Sequence, residues 1–166
     1  TDLDDVTKTS TSPTLAVNPG TFTKLQVLVP GEAANPGSTT GKTGTPSSQI
    51  VGTAFNVTVN GVDANWNLVS SENDLVRITS SDSNATPPSD AALVGGTKIF
   101  SVTLITAGNQ TLTATDLDDV TKTANTSPSI TVNAGALAKL QLLVPGETAA
   151  PGTANGKTGT PSVQTA

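Results

Sequence analysis

The chain has 166 residues, with eight basic against thirteen acidic side chains, no Cys, His, Met or Tyr, one Trp and three Phe. Lacking Cys and His, it has no thiol nucleophile, no disulfide, no thiolate or imidazole zinc site and no Ser-His-Asp triad. The formal charge of −5 and the few aromatic rings argue against nucleic acid as a partner, and no apolar run approaches the roughly 18 residues of a membrane-inserted helix. Thr and Ser make up 45 residues, yet Val, Leu, Ile and Phe still number 38, which at so modest a charge places the chain on the folded side of the boundary with disorder.

The first segment is already a repeat. Residues 1–9, TDLDDVTKT, return unchanged at 115–123, and 13–51 align with 128–166 at 23 of 39 positions, a period of 114–115 residues. That is the size of a whole all-β domain, far above the roughly 20–50 residues of a solenoid unit. Residues 12–20 read as a closing strand and linker, and 127–135 repeat them. Residues 21–134 are therefore expected to form one complete domain, 1–20 the last strands of a preceding one, and 135–166 the opening of a following one. The chain reads as cut from a longer array.

Within the complete unit the predicted elements are strands. Residues 25–29, LQVLV, form an opening strand stopped by Pro30-Gly31. Phe55, Val57 and Val59 alternate with Asn56, Thr58 and Asn60, and Phe100, Val102 and Leu104 with Ser101, Thr103 and Ile105. Leu112 and Ala114 lie between Thr111, Thr113 and Thr115, and Ile130 and Val132 flank Thr131. Period-two alternation with β-branched residues marks half-buried strands. Turn-forming clusters at 63–67, 80–89, 95–96, 108–109 and 117–119 separate them, and no segment has a helical period. About seven short strands in some 115 residues predict an all-β, antiparallel β-sandwich.

Three runs carry a family resemblance: FNVTVNGVDANWNLV (55–69), KIFSVTLITAGNQTLTATD (98–116) and SPSITVNAGALAKLQLLVPG (127–146). Together they resemble bacterial immunoglobulin-like (Big-like) repeats, the domains of invasin- and intimin-type adhesins and of giant surface proteins. The resemblance implies an immunoglobulin-like sandwich, an extracellular position on the bacterial cell surface, and a non-enzymatic role in a stalk or fibre of copies in series. Implied partners are neighbouring repeats of the same polypeptide or identical subunits, and a host or surface glycan or protein.

Two acidic turns raise calcium as a cofactor, without requiring it. Asp63, Asn65 and Asn67 have the D-x-N-x-N spacing that lets side-chain oxygens converge on a hard cation. Leu68 stands where an EF-hand loop has Gly, and Asp74 falls where it has Glu. Asp and Asn also stabilise turns by bonding nearby backbone. Asp116, Asp118 and Asp119, repeated as Asp2, Asp4 and Asp5, crowd carboxylates that need solvent or a bridging cation; the alternative is an exposed hairpin turn compensated by Lys122.

Catalysis is not expected. Acid–base work needs paired carboxylates in a cleft, whereas Glu32, Glu72 and Glu147 stand isolated and the predicted inward strand positions are apolar. Gly41-Lys42-Thr43-Gly44 lacks phosphate-loop spacing and precedes no helix. With no acid at an inward strand position, no isopeptide cross-link from Lys24, Lys98 or Lys122 is expected. Trp66 is either a sugar-stacking platform or a plug at one end of the sandwich, and a sole Trp is expected to pack. Beside the stalk stand two alternatives: a glycan-binding adhesin module around Trp66, and a self-assembling filament whose incomplete ends donate strands to a neighbouring subunit.

Overall fold

The structure, a computed structural model, describes residues 3–165. The candidate Asp2 lies outside the described residues. Strands run in the order β1 (Lys24–Leu28), β2 (Glu32–Ala34), β3 (Lys42–Gly44), β4 (Gln49–Ile50), β5 (Ala54–Val62), β6 (Leu75–Ser80) and β7 (Ala91–Ala92). They continue with β8 (Thr97–Thr103), β9 (Gly108–Gln110), β10 (Leu112–Asp116), β11 (Asn125–Thr126), β12 (Ile130–Asn133), β13 (Glu147–Ala149) and β14 (Lys157–Gly159), with no helix among the described residues.

The order β1-β5-β8 makes one sheet and β11-β10-β6-β7 another, with β4-β12-β9 a third, short one. These pairings are antiparallel except for β12 with β4, which is parallel. Val57 and Val59 of β5, Phe100 and Val102 of β8, Val76 and Ile78 of β6, and Leu112 and Ala114 of β10 join one buried cluster, a sandwich-like core. The alternation read from 55–60, 100–104 and 111–115 is thus the alternation of a sheet with one face in the core.

Two features depart from expectation. Residues 75–80 form β6, a strand absent from the predicted set, whose Val76 and Ile78 point inward. In β10 the alternation runs one step past Ala114, so Asp116 is the third inward residue and only 1% exposed. The expectation that no acid occupies an inward strand position is therefore corrected, and only Asp118 and Asp119 belong to an exposed turn.

The β2–β3 hairpin covers the outer face of β1. Gln26, fully buried, donates from Nε2 to Gly41 O (2.8 Å) and accepts from Asn60 Nδ2 (3.1 Å). Glu32 is not isolated: Lys42 Nζ lies 3.2 Å from its carboxylate and also donates to Val27 O (2.9 Å). Lys42 of the GKTG run is thus a structural cation, held where the hairpin folds back.

The repeated segments form the same local structures without a core. β13 pairs β14 in the register of β2 with β3, Glu147 opposite Gly159 as Glu32 is opposite Gly44. Lys157 Nζ reaches Glu147 at 2.7 Å, and Gln141 Nε2 donates to Gly156 O at 2.6 Å. Leu140 and Leu142, however, are 91% and 79% exposed, where their counterparts Leu25 and Val27 are 0%. Leu15 and Val17 are likewise exposed, where Ile130 and Val132 are buried.

Candidate functional site

The two ends of the sandwich differ in chemistry. The end where Gly20 leads into β1 gathers the turn after β5, the segment before β6 and the end of β10. Of the acids and amides singled out from the sequence, Asp63, Asn65, Asn67, Asp116, Asp118 and Asp119 lie in these segments.

Asp63 sits just past β5 and is 3% exposed. Its Oδ1 accepts from the amides of Asn65 (2.8 Å) and Asn67 (2.9 Å), and its Oδ2 from Gly20 N (2.8 Å) and Asn67 Nδ2 (3.0 Å). Burial pushes the carboxyl up, but the donors from Asn67, Gly20 and Asn65 outweigh it and hold the pKa at about 2. Asn67 thus turns a nitrogen, not an oxygen, toward Asp63, and the carboxylate is engaged by N–H groups. The D-x-N-x-N pattern works here as a turn clasp that also fastens the incoming chain at Gly20.

Trp66, in the same turn, has φ 70°, rare for a side chain of its size. Two neighbours pack against its ring. Lys24 Nζ lies 3.6 Å from the ring centroid while donating to Ala64 O (2.9 Å). A Cβ on Gly41 would fall 2.2 Å from the ring, so only glycine admits it there. Trp66 is half-buried.

The second acidic group divides its labour. Asp116 Oδ1 accepts from the amides of Asp118 and Asp119 (both 3.0 Å). Asp118 Oδ2 accepts from Leu75 N (2.8 Å), fastening the start of β6. Asp119 accepts from the Thr121 hydroxyl and amide and pairs with Lys122 at 3.1 Å; these contacts hold its pKa at about 2. Asp5, Thr7 and Lys8 make the same turn in the first copy.

Asp116 Oδ2 is buried and receives no donor. Asp74, not singled out as a ligand from the sequence, comes within side-chain hydrogen-bonding reach of Asp116. Its pKa is raised first by burial, then by the charge and contact of Asp116, with smaller effects of Glu72 and Asp118. Asp74→Asn is expected to stabilise the protein by about 1 kcal/mol at neutral pH, because it removes a like charge beside Asp116 and offers that carboxylate an amide N–H instead of an acceptor. A folded-state pKa raised above the unfolded one costs stability as pH rises through it, so the gain should shrink on acidification. Urea titrations at neutral and mildly acidic pH measure both effects.

The opposite, exit end is built on Asp82, 4% exposed and also unpredicted. Its Oδ1 accepts from Asn84 N (3.0 Å), and its Oδ2 from Ile105 N (2.7 Å) and Thr106 N (2.8 Å). Burial raises its pKa, and the donors from Thr106, Ile105 and Asn84 more than reverse that. The pattern S-S-D-S-N signals an Asx turn; the donors from 105 and 106 arrive through tertiary structure.

At the entry end an open depression of about 760 Å³ is lined by residues including Gly20, Phe22, Val69, Glu72 and Lys122. Glu72 is the one carboxylate among its walls, so they hold no carboxylate pair for general acid–base chemistry. Among the described residues, no group of three acidic side chains is arranged to hold a metal ion. No protein-family profile matches this chain, and no curated protein shows significant similarity to it.

Proposed function

We propose that this chain is a segment of a tandem array of immunoglobulin-like repeats serving mechanically, as a stalk or fibre of a bacterial surface protein, with no enzymatic activity. One observation carries the reading: identical sequence is buried in one copy and exposed in the other. KLQ at 24–26 opens a strand whose Leu25 is fully covered, whereas KLQ at 139–141 leaves Leu140 bare beside an already formed hairpin. The same holds for Val132 and Val17. Each bare segment lacks a counterpart of residues 52–114, the part that supplies β5, β6 and β8.

Appending the sequence of residues 52–134 after Ala166 supplies that part in register. Calorimetry of the extended chain should show about twice the unfolding enthalpy, since enthalpy scales with the number of ordered residues. An unchanged enthalpy would reject the array. The exposed 137–144 stretch also suits strand donation to another subunit; light scattering that finds concentration-dependent oligomers of the unextended chain would favour that reading. A glycan platform draws no support from Trp66, whose ring lies against Lys24 and Gly41.

A further inference from the structure

We propose that the Pro36-Gly37 loop, together with the Asp63 turn, is one half of a joint between repeats, and that its other half is the Asn84–Thr106 surface at the exit end of the preceding copy. This rests on the tandem-array reading and adds to it the residues that set one repeat on the next.

One half of such a joint is already made. Asn84 Nδ2 donates to Thr106 Oγ1 (3.0 Å) and to Pro151 O (3.3 Å), so the loop that opens the following segment is seated on the exit end. A Cβ added to Gly152 would fall 2.6 Å from both Asn84 Nδ2 and Thr106 Oγ1. Pro151-Gly152 is the counterpart of Pro36-Gly37, within APGT at 150–153 and NPGS at 35–38. The two glycines share a backbone, φ +83° and +77°, yet a Cβ on Gly37 would meet nothing within 4 Å. The same loop is therefore seated in one copy and bare in the other. What covers the seated one is a surface that every repeat of this sequence would carry.

Both halves are braced from within. Asp82 holds the amides of Ile105 and Thr106, fixing the seat beneath Asn84. Gly37 N donates to Asn65 O (2.8 Å), and Gly20 N to Asp63 Oδ2, so loop, turn and incoming linker are tied together. Gly135, the counterpart of Gly20, would bring the next linker to the next Asp63 turn. The two buried aspartates, one at each end of a repeat, thus each brace one half of the joint.

The test uses the full chain extended by the sequence of 52–134. Spin labels go on cysteines replacing Thr79 and its counterpart in the appended copy; the chain has no other cysteine. The expected result is one narrow distance distribution, lost on Asn84→Ala with Thr106→Val and lost again on Gly152→Ala. Gly37→Ala carries the same backbone strain without the clash, and should leave the distribution narrow. A broad distribution in the parent, or a narrow one that survives Asn84→Ala with Thr106→Val, overturns the joint while two calorimetric units keep the array. If the appended copy does not fold, the array reading fails and the joint with it.

Discussion

Leu25→Ala is expected to cost about 3 kcal/mol of stability, and Leu140→Ala close to nothing, although both leucines stand in the same Lys-Leu-Gln context. Leu25 is 0% exposed in the main apolar cluster and Leu140 is 91% exposed. Truncating the first removes methyl groups from a close-packed interior and leaves a void; truncating the second removes surface that water already wets. Local propensity is matched by the flanking residues, so the difference isolates tertiary burial. Urea unfolding of both variants reads it directly, and equal losses would mean that the opening segment is packed in both copies.

Asp63→Ala should be about as damaging, at about 3 kcal/mol. The substitution leaves the amides of Gly20, Asn65 and Asn67 and the Asn67 side chain without their shared acceptor in a largely buried turn. Asp63→Asn keeps the shape but loses the charge and turns an N–H₂ toward other donors, so it should fall between the two. The pH dependence has a definite sign. A pKa of about 2 in the folded state lies below the ordinary carboxylate value, so the stabilisation is complete above that ordinary value. It drains away as pH falls toward about 2. Asp63→Ala should flatten this acid limb of the stability curve, measured by chemical unfolding at stepped pH.

The strands that could be read from the sequence share a physical property: one face in the core and one in water. Phe55, Val57 and Val59 show it, as do Ile130 and Val132. β1 showed only an apolar run, because the hairpin over Gln26 buries its outer face as well. β6 was hidden because its inward residues are just Val76 and Ile78, set among polar neighbours. The acidic turns could be located but not interpreted. An Asx turn such as Asp119 with Thr121 and Lys122 closes within four residues, and Asp5 forms it again in a segment with no core. By contrast, what fills Asp63 comes partly from Gly20, and what fills Asp82 comes from Ile105 and Thr106. Partners so distant in sequence leave no spacing to read. Asp116 groups by spacing with the turn acids Asp118 and Asp119, although the Leu112-Ala114 alternation, followed one step further, points it inward.

The same division separates what each copy forms alone from what it needs. The β13–β14 hairpin with its Glu147–Lys157 pair folds from local sequence, whereas the strand before it stays open without a sheet to join. In residues 21–134 the amide of Leu25 donates to Thr123 O and that of Val27 to Asn125 Oδ1, both supplied by the closing segment. Amide hydrogen exchange of Leu140 and Leu142, in the chain extended by the sequence of 52–134, is therefore the most direct test of the array. Protection rising to that of Leu25 and Val27 is the predicted result; amides that still exchange as in an unpaired segment would contradict it.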